Sequence, residues 1–349
     1  MNEPGGLYKT IRIANIKEEV KDFKVFAFDD HNIVYKAGQY LTLVYHLHSE
    51  EIRRSYSITS SPVLNEPLSI GVKRIENGFF SRKLVDTATS GDELVTIGSG
   101  GLFTFPDNIH SYKQIFFFAA GSGITPIYSL IKTALYAHVH LSLVLIYSNA
   151  SPGKTVFLQA LEQLQREFPK HFYIKFLFSN ISDLSKARLH RELLLHFLTE
   201  LTMAEYGETL FYICGPESYM RMCTYTLQEN DVPGNNIRRE DFVINSIRKR
   251  DALPPDKKTH QALIILNQGQ FEVTVNYPES ILQAAKKQGL ILPYSCEAGR
   301  CGSCVAKCLK GKVWHSYNEV LTEKELRQGL VLTCVGHPVG GDVELRIDV

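Results

Sequence analysis

Four cysteines near the end of this sequence restrict its possible folds more than any other feature. They are Cys296, Cys301, Cys304 and Cys334. Four, two and twenty-nine residues separate them in turn, so the first three come from a single loop. Gly299 and Gly302 lie inside this loop and allow backbone amides to turn toward the sulfur atoms. Three thiolates that converge in this way predict a metal or redox centre rather than a disulfide framework.

Two kinds of centre use four cysteines: a structural zinc ion and a plant-type 2Fe-2S cluster. Zinc ribbons usually pair two short C-x-x-C motifs, but only one such motif, Cys301 with Cys304, is present here. The spacing is that of the plant-type cluster, so we predict a 2Fe-2S cluster on the four cysteines. Cys308 follows Cys304 after three residues and is not needed for this pattern; we predict a packed thiol there.

The cysteine loop belongs to a longer segment, residues 261–349. This segment opens with two β-forming runs, A-L-I-I-L-N and F-E-V-T-V-N, and continues with a short predicted helix between Ser280 and Gln288. With the cysteine spacing, these features resemble the plant-type ferredoxins. The resemblance implies an α+β (β-grasp) domain that carries the cluster.

The pattern of apolar and polar residues changes twice along the remainder of the chain. Residues 1–110 contain short β-forming runs such as Y-L-T-L-V-Y between turn residues, which predicts an antiparallel β-barrel. Residues 111–244 alternate helical stretches with apolar runs such as Q-I-F-F-F-A-A, which predicts an α/β domain with a parallel sheet. Residues 245–260 are charged and contain a Pro-Pro pair, so we predict a linker. Its basic run, Ile247–Arg250, is either solvated, which we favour, or a docking site for a partner.

Composition narrows the classes of function. A chain of 349 residues is long enough for two or three domains. Its 38 basic and 37 acidic residues create no overall field, so nucleic-acid binding is not expected. The N-terminus lacks a basic start followed by an apolar segment, and no apolar run approaches about 18 residues. We therefore expect a cytoplasmic protein without membrane insertion.

The tetrapeptide R-S-Y-S, Arg54–Ser57, stands at the start of a predicted strand. A cofactor with a diphosphate and a planar ring needs a guanidinium, an aromatic side chain and a hydroxyl near its reactive nitrogen. Arg54, Tyr56 and Ser57 can supply these three groups. Farther along, Gly78–Ser81 precede a helical stretch whose free amides can bind phosphate.

Together these two segments resemble the flavin domain of the ferredoxin-NADP reductase superfamily, where an Arg-x-Tyr-Ser strand and a Gly-x-x-Ser helix start embrace FAD. The resemblance implies that Arg54 and Ser81 hold the diphosphate, that Tyr56 packs on the isoalloxazine ring, and that Ser57 lies near its N5. Further predicted flavin contacts are Ser55, Val72, Lys73, Gly78 and Phe80. Reductases of the phthalate dioxygenase type share this domain order but use FMN. The Gly78–Ser81 segment and the G-G-L-F-T run at Gly101 favour FAD.

The segment F-F-F-A-A-G-S-G-I-T-P runs from a predicted buried strand through Gly121 and Gly123 into a helix. Glycine permits a diphosphate to approach the backbone closely. Thr125 can cap the helix, and Pro126 suits its first turn. In the order strand, loop and helix, this segment predicts a nucleotide-binding site.

The run I-C-G-P-E-S-Y-M ends the last long strand of this region. By the same resemblance, its turn places Cys214 beside the nicotinamide and Gly215 with Pro216 against the nucleotide; a buried structural cysteine is the alternative. Farther along, Glu240 and Phe242 occupy a Glu-x-Phe position. In members with an attached ferredoxin, this aromatic residue covers the flavin until nicotinamide displaces it. A plain hydrophobic strand end is the alternative here.

The choice between NADH and NADPH depends on the run Y-S-N-A-S-P-G-K-T. It contains no acidic residue that could bind a free ribose diol, which argues against a strict NAD site. Ala150 stands where related NADPH enzymes often have arginine, although Ser148 and Lys154 could replace that charge. Ser148 is a predicted cofactor contact, and the choice of nucleotide stays open.

The order of barrel, nucleotide domain and ferredoxin resembles that of reductase subunits of multicomponent oxygenases, and most closely the phenylacetyl-CoA epoxygenase reductases. The resemblance implies electron transfer from NAD(P)H through FAD and the 2Fe-2S cluster to an oxygenase component. Ser57, Cys214 and Glu240 would orient and polarise the reacting groups. A Rieske oxygenase, a desaturase or a separate electron carrier is an alternative acceptor. A non-catalytic iron-sulfur redox sensor is an alternative of another class.

Overall fold

The computed structural model describes residues 7–29, 32–47, 50–180, 187–242, 252–266 and 269–347. The chain divides into two compact units. The larger unit comprises Thr10–Ser99 and Phe103–Phe242, and the smaller comprises Val243–Val349 with Met1–Lys9 and Gly100–Leu102. In the described residues, no helix is long and apolar enough to cross a membrane.

The larger unit begins with a β-barrel. Its strands are β1 (Lys9–Val20), β2 (Phe23–Phe28), β3 (Tyr40–Leu47), β4 (Glu50–Ser57), β5 (Ser69–Lys73) and β6 (Glu93–Gly100). They form one six-stranded sheet in the order β4-β3-β6-β1-β2-β5, and a bridge between Ile58 and Ile70 joins its two edges. The pairs β1/β2, β2/β5 and β3/β4 are antiparallel. The predicted antiparallel barrel is confirmed.

A short helical segment covers one end of the barrel core. Helix α1 (Phe79–Arg82) continues into a π-helical turn over Lys83–Thr87. Phe80, Leu84 and Val85 of this segment are buried in the same apolar cluster as the barrel strands. Burial of these side chains stabilises a helix that is too short to be stable alone.

The second half of the larger unit is an α/β domain. Its elements are β7 (Gln114–Ala120), α2 (Ile124–Ala137), β8 (Ser142–Asn149), α3 (Leu158–Glu167), β9 (Phe172–Phe178), α4 (Arg191–Leu201), β10 (Thr209–Cys214), α5 (Glu217–Glu229) and β11 (Ile237–Glu240). The strands pair in parallel in the order β11-β10-β7-β8-β9. Phe117 packs into the core on one face of the sheet and Phe116 into the core on the other. An unbroken apolar run such as β7 is typical of a strand buried on both faces.

The strand order reverses between β7 and β10. The connection from β7 leads to β8 on one side, whereas β10 and β11 lie on the other side. In open parallel sheets, ligands bind at the carboxyl ends of the strands beside such a reversal. The loops after Ala120 and Cys214 therefore meet where a nucleotide is expected.

The smaller unit contains a mixed five-stranded sheet, a two-stranded sheet and two short helices. Its elements are β12 (His260–Leu266), β13 (Gly269–Val275), α6 (Ile281–Lys287), β14 (Val305–Lys310), β15 (Val313–His315), α7 (Glu323–Arg327), β16 (Leu330–Leu332), β17 (Gly336–Pro338) and β18 (Val343–Ile347). The main sheet has the order β13-β12-β18-β14-β16, and β15 pairs with β17. Helix α6 begins with a capping box between Ser280 and Gln283 and buries its apolar face on the sheet. This arrangement confirms the predicted α+β ferredoxin fold.

The predicted linker, residues 245–260, is only partly described. Its first part, with the basic run Ile247–Arg250, lies outside the described residues. In its last part Pro254 is buried, and β12 already begins at His260.

Asp256 anchors this last part of the predicted linker to the smaller unit. Its carboxylate accepts N–H bonds from Gly340 at 2.8 Å and from Lys258 at 2.9 Å, and lies 2.9 Å from Nε2 of His260. These contacts, in this order, lower the pKa of Asp256 to about 2. The end of the range predicted as a free linker is thus part of the folded unit.

Candidate functional site

The four predicted cluster ligands come together in two pairs. The thiols of Cys296 and Cys301 lie within hydrogen-bonding reach of each other, and so do those of Cys304 and Cys334. A zinc ion would need all four thiolates around one centre, whereas two irons share the four cysteines of a 2Fe-2S cluster. The pairing fits the cluster better than zinc.

The backbone of the cysteine loop turns amides toward sulfur. Glu297, Gly299 and Gly302 have φ angles of 52°, 71° and 74°, in the left-handed region. The N–H of Ala298 donates to Sγ of Cys296 at 3.4 Å. Such donors stabilise negative charge on ligand sulfur and tune the cluster potential. The glycines were a sequence signal for this conformation, but nothing in the sequence identified Glu297.

The first cysteine pair is electrostatically asymmetric. The hydrogen bond with Cys296 lowers the pKa of Cys301 to about 5 in opposition to burial, and Ser303 adds to the lowering. The same hydrogen bond and burial raise the pKa of Cys296. The hydrogen bond between the two thiols thus favours a thiolate in this pair, the form that binds metal.

Two contacts that sequence reasoning missed hold this loop in place. The fully buried Thr333 donates its N–H and its hydroxyl to the carbonyl of Cys304, at 3.0 and 3.2 Å. Because Thr333 precedes Cys334, these bonds connect both members of the second pair. Lys286 of α6 lies 3.1 and 3.2 Å from the two carboxylate oxygens of Glu297. Its position on the helix could not be related to the loop from sequence spacing.

The fifth cysteine of this unit, Cys308, points away from the two pairs. Its half-buried thiol lies 3.4 Å from the carbonyl of Lys310 and 3.7 Å from that of Gly311. Burial raises the pKa of Cys308, and a hydrogen bond with the backbone of Lys310 partly opposes this effect. A protonated thiol directed at backbone carbonyls is poorly suited to bind iron.

The R-S-Y-S segment, Arg54–Ser57, occupies the second half of β4, so its predicted position at the start of a strand is wrong. β4 already pairs with β3 from Glu50, which lies opposite Leu47. The hairpin extends the strand upstream of the motif because cross-strand pairing, which local sequence does not reveal, decides where a strand begins.

Arg54 stands on the core-facing side of this hairpin. It lies opposite Leu43, and Tyr56 lies opposite Leu41; both leucines are fully buried. Arg54 itself is exposed and has no acidic partner in the described residues. Its Nη1 donates to the carbonyl of Arg53 at 2.7 Å. An exposed guanidinium that has no acidic partner among the described residues fits a cofactor diphosphate.

The neighbours of Arg54 divide between the two faces of β4. Tyr56 is half-buried beside Phe80, with ring centroids 6.1 Å apart, and burial raises its pKa despite the opposing effect of the nearby arginine. The phenol thus stays neutral and can pack against a flat ring. On the other face, Ser57 is buried and the hydroxyl of Ser55 lies 2.9 Å from that of Thr42. Ser55 is therefore already engaged within the sheet.

The turn at Gly78 is tightly built. The hydroxyl of Ser81 accepts the N–H of Ile75 at 3.1 Å and donates to the carbonyl of Gly78 at 3.2 Å. A Cβ on Gly78 would lie 2.6 Å from this hydroxyl oxygen. Because the turn uses the Ser81 side chain, the amides at the start of α1 are the groups left to bind a phosphate.

The other predicted flavin contacts lie on β5, and an aromatic group that we did not predict lies near α1. Val72 is fully buried, whereas Lys73 is exposed. Tyr45 has its ring centroid 5.6 Å from that of Phe79. The ammonium of Lys83 lies 3.8 Å from the Tyr45 centroid.

Two glycine turns touch each other at the carboxyl ends of β7 and β10. A Cβ on Gly123 would lie 2.1 Å from the carbonyl oxygen of Cys214, closer than any real contact. A Cβ on Gly215 would lie 2.9 Å from the Cβ of Ala120. Gly121 has φ of 56° and open space around it. Such backbone approaches, open only to glycine, are what a nucleotide diphosphate requires.

Helix α2 starts earlier than its sequence suggests. Its N-cap is Gly123 and no side chain caps it, so the predicted role of Thr125 as a cap is wrong. A 3₁₀ turn leads directly into the helix at Ile124, and the Thr125 hydroxyl instead donates to the carbonyl of Ser122 at 2.9 Å. Pro126 lies in the first turn, where its missing N–H leaves no helical hydrogen bond unmade.

The end of β8 carries two buried polar atoms that lack a hydrogen-bond partner among the described residues. Oγ of Ser148 and Nδ2 of Asn149 are buried and form no hydrogen bond with the described residues. The phenols of Tyr219 and Tyr147 lie near enough for these groups to affect their pKa values, but not in hydrogen-bonding geometry. A buried unpaired polar group costs about 1–3 kcal/mol, so a ligand that pairs with these atoms gains that energy. A nucleotide ribose would meet the sheet at such a strand end.

Cys214 and Glu240 are neighbours across β10 and β11. They pair directly in the sheet, and both are buried. Burial raises the pKa of Cys214, and the carboxylates of Glu240 and Asp241 raise it further. The thiol is therefore protonated and neutral. Pro216 forms the N-cap of α5, and Phe242 is 42% exposed just beyond β11.

Three family models match successive parts of the chain. Residues 10–105 match the oxidoreductase FAD-binding domain, residues 117–224 the oxidoreductase NAD-binding domain, and residues 264–339 the 2Fe-2S iron-sulfur cluster binding domain. These matches confirm the predicted cofactors.

Two relatives match from end to end. A subunit of 1,2-phenylacetyl-CoA epoxidase from Escherichia coli (strain K12) is 31% identical, over 98% of this chain and 98% of that protein. The ferredoxin reductase component of 3-ketosteroid-9-alpha-monooxygenase from Mycobacterium tuberculosis (strain CDC 1551 / Oshkosh) is 29% identical, over 97% and 95%.

A solved structure shares this fold. Phthalate dioxygenase reductase aligns with a TM-score of 0.59 and 22% identity, over 97% of this chain and 98% of that one. At this identity the likeness concerns the fold alone. The end-to-end relatives and the three matched domains establish the rest: the chain belongs to the ferredoxin-reductase-type NAD(P)H oxidoreductases that combine FAD-binding, NAD-binding and 2Fe-2S domains.

Proposed function

We propose that this chain is the reductase component of an oxygenase of the phenylacetyl-CoA epoxidase type. The observation that carries the proposal is the identity of 31% to the Escherichia coli phenylacetyl-CoA epoxidase component over 98% of both chains. The identity of 29% to the reductase component of 3-ketosteroid-9-alpha-monooxygenase supports a second candidate, a reductase for another oxygenase.

The flavin site would be formed by β4 and the start of α1. Bound FAD supplies chemistry that no side chain has, since it accepts a hydride and releases electrons singly. Arg54, which has no acidic partner among the described residues, would pair with the diphosphate. Tyr56 would pack on the ring and Ser57 would lie near its reactive nitrogen. The remaining contacts would come from Gly78–Ser81 and from Val72 and Lys73 of β5.

The nucleotide site would be formed by the two touching glycine turns. Gly121, Gly123 and Gly215 would admit the diphosphate to the backbone, and Ser148 would pair with the ribose. Cys214, kept neutral by burial and by neighbouring carboxylates, would place an uncharged thiol beside the nicotinamide. The carboxylate of Glu240 would favour the positive charge that the nicotinamide gains when it gives up a hydride.

The 2Fe-2S site would be formed by Cys296, Cys301, Cys304 and Cys334. Backbone amides of the cysteine loop would donate to their sulfur atoms.

Phe242 would lie over the flavin until nicotinamide takes its place. We place the flavin domain at 1–110, the nucleotide domain at 111–244 and the ferredoxin domain at 261–349, with the end of the preceding segment, 245–260, as part of its folded unit; the three family matches fall inside these ranges. We further propose a cytoplasmic location, where reduced thiols persist.

The test uses the purified holoprotein with two acceptors. Steady NAD(P)H oxidation with ferricyanide tests the reductase activity, and its absence would favour the redox sensor. Epoxide formation with the oxygenase subunits of phenylacetyl-CoA epoxidase tests the acceptor. Cys334→Ser is the matched control: it should abolish epoxide formation but retain ferricyanide reduction, which needs only the flavin. Turnover with another oxygenase, and none with the epoxidase, would support the second candidate instead.

A further inference from the structure

Helix α2 is joined to the barrel by a row of buried polar contacts. The Ser129 hydroxyl donates to the carbonyl of Ser60 at 2.5 Å. The hydroxyls of Thr133 and Ser61 lie 2.6 Å apart. Residues 129, 132 and 133 share one helix face because their spacing is that of a helical turn. This helix face therefore contacts the barrel through polar side chains rather than apolar ones. We call these contacts of residues 129, 132 and 133 with the barrel the polar ladder.

The central contact of the ladder is an ion pair between Lys132 and Glu66. Their Nζ and Oε1 atoms lie 2.5 Å apart, and the same oxygen accepts the N–H of Ser61 at 2.6 Å. The lysine side chain is only 7% exposed and its ammonium lies 4.6 Å from the centroid of Tyr128. Burial lowers the pKa of Lys132, although Glu66 opposes this effect. Burying a charge carries a desolvation penalty that can exceed the attraction between the two ions, so a stabilising role alone does not explain this pair.

Both ends of the ladder lead directly to the proposed cofactor sites. Ser60 and Ser61 follow Ser57, the proposed flavin contact, without a break in the chain. On the helix side, α2 begins at Ile124, directly after the glycine turn of the nucleotide site. Helix α2 is a rigid rod that rises about 1.5 Å per residue, so a displacement at Lys132 reaches its first turn.

The first turn of α2 is also packed tightly on the barrel. A Cβ on Gly71 of β5 would lie 2.7 Å from Cγ2 of Thr125. Gly71 directly precedes Val72, which is a predicted flavin contact. The start of the helix and the polar ladder therefore fix α2 at two points along its length.

We propose that Lys132, Ser129 and Thr133 are positioning residues that set the nicotinamide site at its working distance from the flavin site. Hydride transfer needs the two reacting atoms about 3–3.5 Å apart, so a small rotation of α2 slows it strongly. Nucleotide binding depends on the glycine turns and is affected less. The inference rests on the proposed hydride transfer from nucleotide to flavin.

The test compares Lys132→Met and Ser129→Ala with wild-type holoprotein. We expect the rate of anaerobic flavin reduction at saturating NAD(P)H to fall about tenfold in Lys132→Met, with KM changed by less than about threefold. Titration with the oxidised nucleotide gives a second measurement that needs no turnover. The change in flavin absorbance at saturation should be smaller in the variants than in the wild type, because the nicotinamide would no longer lie at its working distance from the flavin. Lys170→Met, on an exposed lysine of the same domain, should change neither measurement.

Ser129→Ala keeps the test decisive if Lys132→Met cannot be isolated with flavin and cluster bound. A lowered melting temperature with an unchanged reduction rate and absorbance change would overturn the proposal, because it would show a purely stabilising role. A loss confined to KM would overturn it as well. Wild-type protein that neither NADH nor NADPH reduces would instead refute the proposed function.

Discussion

The contact between Gly123 and Cys214 predicts the effect of a single methyl group on nucleotide use. Gly123 has φ of −60° and ψ of −10°, which alanine adopts without strain. The added Cβ would lie 2.1 Å from the Cys214 carbonyl oxygen, whereas real Cβ contacts under 3.0 Å essentially never occur. Backbone holds both sides of the contact, so the two turns must separate by about 0.9 Å.

A displacement of this size at a nucleotide site has a large kinetic effect. Misplacement of reacting groups by about 1 Å costs about 100-fold in rate. We therefore expect kcat/KM for NAD(P)H, with ferricyanide as acceptor, to fall about 100-fold in Gly123→Ala. This corresponds to about 2.7 kcal/mol of transition-state stabilisation. The ratio of flavin to cluster absorbance should remain that of the wild type, because neither cofactor site contains this contact.

Two matched variants separate the clash from other effects. Gly207→Ala adds a methyl group where nothing lies within 4 Å, and it should behave as wild type. Gly121→Ala adds no clash but places alanine at φ of 56°, a strain of about 1–2 kcal/mol. A kcat/KM for Gly123→Ala within twofold of the wild type would refute the steric argument. A loss in Gly121→Ala as large as that in Gly123→Ala would show that crowding of the proposed diphosphate site, rather than the contact with Cys214, accounts for the effect.

Three further predictions concern the flavin site and the smaller unit. Cys304→Ser should remove the cluster absorbance in the visible spectrum, whereas Cys308→Ser should retain it; loss in both would place Cys308 among the ligands. Arg54→Gln should weaken FAD retention about 10- to 100-fold in equilibrium dialysis, since it removes a charge-assisted hydrogen bond of about 1.5–3 kcal/mol, and unchanged affinity would contradict the diphosphate role. Because the pKa of Asp256 is lowered to about 2 from 3.8, its carboxylate stabilises the fold fully above about pH 4, and this contribution is lost as pH falls toward 2. The unfolding free-energy difference between wild type and Asp256→Asn, followed by Trp314 fluorescence, should stay constant from pH 7 to 5 and shrink below about pH 4; shrinkage at neutral pH would contradict this reasoning.

Local sequence patterns were enough to predict the cluster ligands, the parallel sheet and the glycine turns of this protein. The spacing of the four cysteines identified the cluster because the ligands of one loop must be close in sequence to meet one centre. The alternation of buried apolar strands and helices likewise predicted the parallel sheet, since burial on both faces leaves a mark in each strand. The glycines at 121, 123 and 215 were recognisable because no other residue permits such backbone approaches.

Tertiary structure decided what depends on contacts between distant segments. The sequence could not reveal that β4 begins at Glu50, because pairing with β3 sets that boundary. The capping role predicted for Thr125 failed because the turn before α2 continues directly into the helix. The pairing of Lys132 with Glu66 joins residues 66 positions apart, which no local pattern records. Spacing within a segment can specify which groups a site contains, but only the packing of one segment on another fixes where those groups stand.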